Sequence, residues 1–401
     1  MCRLTILLAT AAALIGCHSN DVTDRSGATI RDSAGIVIVH NESPALEPLR
    51  AWSLAAAPDL VIGSEADSMQ QLHRVRGAVR LGNGQLAIAN SGTFQIRVYS
   101  PTGEFVRTFG REGSGPGEFS FLDGIWPLPG DSILAWDGDR QLMHAFDGWG
   151  QYARTVTFKG TLADRPKRFP DFDFVGLTFV HDTLPRTLNE TWWEWFSFVW
   201  LSPDADSLGA IGPLRGMEYM ATEWQGSQLR AQRSLGRAAA FAVGPEAFYH
   251  GDSDGYRVLV FQPDGRLIRI VERKAEPQPI TAEVQAAYIR ERLGAATNPQ
   301  LRAEWERYFT KIEFPESAPS YRRFEVDSEG NLWIENWSIP GSTEVVWSVF
   351  SADGRWMTDV HGPLGQPLEI GRDYMILLLR DDIGTERVGV FRITKPASTN
   401  G

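Results

Sequence analysis

Short alternations of apolar and polar residues recur along this chain, each ending in an aromatic. A turn containing Gly or Asp follows, then a second alternation. The unit reads IRVYSPTGEFVRTFG at 96–110, MHAFDGWGQYARTVTF at 143–158 and FVWLSPDADSLGAIG at 198–212. It returns as VLVFQPDGRLIRIV at 258–271 and WSVFSADGRWMTDV at 347–360. A period of two predicts strands. Asp264-Gly265 and Asp353-Gly354 tolerate the positive φ of a tight turn, so each unit predicts a hairpin. A sixth copy, RVGVFRITKP at 387–396, stops before its turn.

A second strand pair precedes several hairpins. It reads VRGAVRL, Gly82-Asn83-Gly84 and QLAIAN at 75–90, and RRFEVD, Ser328-Glu329-Gly330 and NLWIEN at 322–336. The sixth unit offers QPLEIG and YMILLLRD at 366–381. Four strands per unit make an antiparallel blade. The anchor aromatics Tyr99, Phe146, Trp200, Phe261, Phe350 and Phe391 are spaced by 47, 54, 61, 89 and 41 residues. These observations predict an all-β, six-bladed β-propeller over residues 34–396, with a short tail at 397–401. The last blade lacks a strand. GIVIVHN (35–41) and DLVIG (59–63) are spare, so the N-terminal segment is expected to supply the missing outer strand and close the ring. An open ring would leave a strand edge in water. The third unit, 166–233, has few Gly turns and gives no clear blade edges.

The 89-residue spacing contains a segment of a different period. Thr281 predicts a helix N-cap, Gly294 a C′ stop, Asn298 a second N-cap and Pro299 the N1 residue. Leu301, Trp305, Tyr308, Phe309 and Ile312 share one helical face. A helical hairpin over 281–312 follows, either packed on the propeller's rim or forming a wall of a ligand site. Its Arg290, Glu291, Arg292, Arg302, Glu304, Glu306 and Arg307 are expected to pair along a solvated face.

Composition narrows the functional classes. With 401 residues, 43% hydrophobic and 22% charged, the chain can bury a large core and is neither disordered nor fibrous. A net charge of −11 argues against a nucleic-acid partner, which needs basic surface. The first residues, MCRLTILLATAAALIGC, place one cation before an apolar run too short for a stable span, as in a secretory signal. Its end, Leu14-Ile15-Gly16-Cys17, resembles a bacterial lipobox. That resemblance implies cleavage after residue 16, lipidation of Cys17 and a membrane anchor. His18 in place of Asp favours the outer membrane. Residues 17–33 are polar and are expected to be a flexible tether. Cys17 would then be the only cysteine, so no internal disulfide is available.

Residues 34–396 resemble the six-bladed propeller lipoproteins of bacteria, related to NHL-repeat and TolB-like propellers. The likeness rests on Gly84-Gln85-Leu86-Ala87-Ile88-Ala89, Ile96-Arg97-Val98-Tyr99, Gly103-Glu104-Phe105 and the string from Phe109 to Phe119, FGREGSGPGEF. It implies an extracytoplasmic propeller and little about activity.

Candidate chemistry is sparse. The Gly-rich loop 110–117 lacks the Lys of a phosphate loop and leads into a strand, so a crossover between blades is the expected use. A polar residue follows the second strand of each unit: Asn90, Asp137, Asp182, Asp252, Asn336 and Asp381. Such a ring caps its own turns or, as in gluconolactonase- and paraoxonase-type propellers, supplies oxygens to Ca²⁺. Trp192, Trp193 and Trp195 form an aromatic stretch that packs between blades or offers a stacking platform. The seven His show no metal spacing, and no nucleophile motif appears. The sequence therefore points to a scaffold that binds a protein, peptide or small ligand and has no resident cofactor. A Ca²⁺-dependent hydrolase or lyase is the alternative, and a structural partner in an envelope complex is a third.

Overall fold

The computed structural model describes residues 22–23, 27–47, 50–64, 66–158, 162–168, 174–180, 187–245, 247–381 and 383–395. The lipobox, Cys17 and the tail at 397–401 lie outside them.

Six sheets contain the strands of the described residues. The first joins Val75–Arg80, Leu86–Asn90, Gln95–Tyr99 and Phe105–Phe109 as an antiparallel meander. The second repeats it with Leu122–Pro127, Ile133–Asp137, Leu142–Phe146 and Tyr152–Thr157. The fifth does so with Tyr321–Val326, Leu332–Asn336, Glu344–Phe350 and Trp356–Pro363. Each expected hairpin is present. The aromatic at its first strand's end is buried, as Tyr99, Phe146 and Phe350 show.

Successive sheets meet through their innermost strands. Gly77 of the first sheet lies so close to the second that a Cβ there would sit 3.3 Å from the Ile125 backbone nitrogen. Arg168, on the third sheet's Lys167–Arg168, donates to the Pro127 carbonyl at 3.1 Å. The Lys167 ammonium lies 5.9 Å from the Phe241 ring of the fourth sheet. Ala240–Val243 of that sheet neighbours Tyr321–Val326 of the fifth. The Ser328 N–H donates to the Ile370 carbonyl of the sixth at 3.2 Å. The sixth returns to the first where the Arg80 N–H donates to Glu369 Oε2 at 2.7 Å. The cores lie between neighbouring sheets: Ile125, Phe146 and Phe119 pack with the first sheet's Val98 and Ala89, and Trp347 and Val349 pack with the sixth sheet's Leu377 and Phe391. The middle strands of the sheets are buried on both faces, as in Leu86–Asn90 and Ile133–Asp137, while outer strands such as Tyr152–Thr157 are largely exposed. This is a β-propeller.

The sixth sheet takes its fourth strand from the beginning of the chain. Leu60–Ile62 pairs antiparallel with Glu386–Thr394, Ile62 opposite Val388 and Leu60 opposite Val390. Glu386 adds a clasp, its Oε2 accepting the Val75 N–H at 2.7 Å.

The other spare strand goes elsewhere. Ile36–Asn41 lies parallel to the fourth sheet's outermost strand, Leu267–Arg273. Asn41 fixes it there, with Nδ2 donating to the carbonyls of Glu272 (3.0 Å) and Gly354 (3.1 Å). Its Oδ1 accepts the Trp356 N–H at 2.9 Å. Ala28–Ser33, placed in the tether by its polarity, is a strand paired with Ile36–Asn41. Val22–Thr23 pairs with it on its other side, and Arg31, Asp32 and Ser33 are exposed, so its polarity is no obstacle.

The third sheet departs most from the repeat. Thr191–Leu201 and Ser207–Trp224 are far longer than other strands, and Ser227–Gln232 extends the sheet beyond the usual four. The helical hairpin comprises α1 (Ala282–Gly294) and α2 (Pro299–Phe309). Thr281 and Asn298 cap them through Val284 N–H and Leu301 N–H. Gly294 is the last residue of α1 rather than its C′ stop, and Ala295 is the C-cap. The hairpin docks on the third sheet's overhang, Trp305 against Trp224 with ring centres 4.9 Å apart. Lys311 pairs with Glu223 at 2.7 Å.

Candidate functional site

The polar ring occupies equivalent positions. Asn90 is level with Val75, Asp137 with Leu122 and Asn336 with Tyr321, so these residues mark the rim where innermost strands begin. Asp182 lies outside the described residues. Each of the others is committed locally. Asn90 Oδ1 accepts the His73 N–H at 2.6 Å, and its Nδ2 donates to Thr93 Oγ1. Asp137 accepts from the backbone of Ser120, Phe121 and Arg140. Asp252 accepts the Asp254 N–H and lies 3.5 Å from the Arg215 guanidinium. Asn336 Oδ1 accepts the Tyr256 hydroxyl at 2.8 Å. Asp381 accepts from the N–H groups of Ile383 and Thr385, which hold its carboxyl below the usual range. Among the described residues, no three His, Cys, Asp or Glu are grouped to hold a metal ion.

The Gly-rich loop is filled by its own chain. Glu118 Oε2 accepts the Gly115 N–H at 2.7 Å while Arg111 Nε donates to Glu118 Oε1 at 2.7 Å. Gly113 has φ +150°, and a Cβ there would collide with that carboxylate. The tryptophans do not form one platform. Strand alternation puts Trp192 on the opposite face from Trp193 and Trp195. Trp192 stacks on Tyr219, its cross-strand partner, at 6.2 Å. The Arg215 guanidinium covers Trp193 at 5.1 Å, and Trp195 is exposed.

Two cavities stand out, on opposite rims. The larger, about 800 Å³, lies on the rim where innermost strands begin. One wall is α1, with Tyr288, Arg290 and Arg292. The others are the loop 232–238 before the fourth sheet and the loop 337–342 after Asn336. Arg233 and Arg322 add two further cations, and Glu291 is the one carboxylate on the lining. Arg233 is paired with Glu218, and Arg322 lies 3.5 Å from Glu335. Arg292 donates to the Tyr288 hydroxyl at 3.2 Å. The expected intrahelical pairing holds for Arg302–Glu306 and Arg307–Glu304 on α2. It does not hold for Arg290 and Arg292, which border the groove. Local sequence gave no sign of loops 232–238 and 337–342; only the long spacing marked the site.

The smaller cavity, about 440 Å³, is axial. Residues of all six innermost strands or their flanks line it, from Gly77, Ile125 and Lys167 to Val243, Glu325 and Glu369. It lies where those strands end, so the polar ring at the opposite rim does not line it.

No protein family matches the chain. No curated protein matches it. Solved structures similar in shape include a Bacteroides fragilis NCTC 9343 protein thought to be exported, with 12% identity and TM-score 0.49, covering 90% of this chain and 100% of that one. A member of the duf4221 family from Bacteroides vulgatus shares 11% identity with TM-score 0.48, covering 86% and 99%. A virginiamycin B lyase from Staphylococcus aureus shares 9% identity with TM-score 0.40, covering 86% and 99%.

Proposed function

We propose that this protein is a six-bladed propeller held outside the cytoplasm by lipid on Cys17, at the outer membrane, and that it is a binding scaffold. The groove beside α1 is its principal site, and its ligand is an acidic peptide or protein segment. The observation that carries this reading is the groove's charge: Arg290 and Arg292 have no carboxylate partner among the described residues and face Glu291 alone on the lining, beside Arg233 and Arg322 that Glu218 and Glu335 pair from outside it, in a chain whose net charge is −11. A local cationic site on an acidic protein attracts anions selectively. Tyr288 and Trp337 supply apolar contact surface beside the cations. The volume of about 800 Å³ suits several residues of extended chain.

Calorimetric titration of the full chain with hexaglutamate tests the reading, with hexalysine as control. Saturable binding of hexaglutamate alone, weakened by Arg290→Ala, is expected. Equal binding of both peptides, or of neither, overturns it.

A further inference from the structure

The axial cavity carries its opposite charges on different parts of its wall. Its cations, Arg165, Lys167 and Arg168, all come from the third sheet and the segment leading into it. Its carboxylates, Glu325, Asp327 and Glu369, come from the fifth and sixth sheets. In the cyclic order of sheets the sixth is three steps from the third and the fifth is two, so Glu369 lies across the axis from the cations and Glu325 and Asp327 lie two sheets round the wall from them.

These charges are not used up equally. Asp327 is held by Asn331, Trp333 Nε1 and Lys395. Arg165 donates to the carbonyls of Arg76 and Asp123. Among the described residues Lys167 has no carboxylate partner, and its ammonium lies 5.9 Å from the Phe241 ring. Glu325 has no ion-pair or hydrogen-bond partner among the described residues, and it is half-buried, as is Lys167. A half-buried charge without a partner is costly unless something else compensates it. The open cavity that both residues line also carries apolar surface from Ile125, Val243 and Leu368.

We propose that the axial cavity binds a compact zwitterion, a short unblocked peptide or free amino acid. Its carboxylate sits against Lys167 and its ammonium against Glu325. A purely anionic or cationic ligand would satisfy one wall and be repelled by the other. A zwitterion satisfies both, and its volume fits a site of about 440 Å³. This site is separate from the groove beside α1, and neither reading depends on the other.

The test is calorimetric titration of the full chain with tri-alanine, with N-acetyl-tri-alanine, with tri-alanine amide and with a mixture of free amino acids. Saturable binding is expected for at least one unblocked ligand. For tri-alanine, either block is expected to weaken binding at least about tenfold, the scale of one lost charge pair. Lys167→Gln removes the preference for the free carboxylate and leaves the preference for the free amine. Glu325→Gln does the reverse. A residue with a merely structural role would weaken all ligands alike, and thermal melts of both variants check that they fold. Blocked peptides that bind as well as free ones, or no binding by any unblocked ligand, overturn the proposal.

Discussion

Glu369 Oε2 accepts the backbone N–H of Arg80 at 2.7 Å, which ties the innermost strand of the last sheet to that of the first. Burial at this junction pushes the Glu369 carboxyl up to about 7 against the downward pull of that hydrogen bond. Below the unfolded value near 4.5, both folded and unfolded groups are protonated and burial carries no charge penalty. As pH rises through 7 the folded group ionises in a poorly hydrated place, and stability is lost. Glu369→Gln keeps an acceptor for Arg80 without the charge. It is expected to gain about 1–3 kcal/mol at pH 8 and nothing at pH 4. Thermal unfolding of both proteins at the two pH values checks this, and an equal difference at both would refute it.

Asn41 makes three hydrogen bonds at 1% exposure, to Glu272, Gly354 and Trp356. It joins the N-terminal hairpin to two sheets. Asn41→Ala leaves those buried backbone groups without partners and is expected to cost about 2–4 kcal/mol. Hydrogen exchange should rise first in residues 28–41. Unchanged unfolding midpoints in denaturant would contradict this account of the hairpin.

Calcium is expected to leave the protein unchanged. The oxygens of Asn90, Asp137 and Asp381 already accept backbone N–H groups that would be stranded if the side chains turned to a cation. Calorimetry with Ca²⁺ should give no saturable heat. Saturable binding with a rise in melting temperature would return the Ca²⁺-dependent hydrolase to consideration.

The lipid anchor is read from Leu14-Ile15-Gly16-Cys17. Cys17→Ser is expected to abolish acylation and release the protein from the membrane fraction. Mass spectrometry of the N-terminal peptide from wild type should show the lipid on Cys17. An unmodified Cys17 in the membrane fraction would contradict it.

Periodicity revealed the hairpins because their outer strands, such as Phe105–Phe109 and Trp356–Pro363, alternate between covered and more exposed positions, and the turns are punctuated by residues such as Gly103 and Gly354. The caps Thr281 and Asn298 revealed the helical hairpin. The route of Ile36–Asn41 was not legible. Val37 and Val39 fit any open edge, and the choice of the fourth sheet depends on Asn41 meeting Gly354 and Trp356, more than 300 positions away in the chain. The groove was hidden for the same reason. Arg290 and Glu291 look like an ordinary solvated helix until loops 232–238 and 337–342 are placed opposite them. The turn-capping ring was visible as a repeat. What each member grips, such as His73 for Asn90, depends on the segment joining neighbouring sheets.

Hydrogen exchange of the full chain with and without hexaglutamate addresses the claimed site most directly. Protection confined to 232–238, 287–292 and 337–342 is the expected result, and it should vanish in Arg290→Glu with Arg292→Glu. Protection centred on the axial strands, or unchanged exchange at all three segments, would contradict the assignment of the groove.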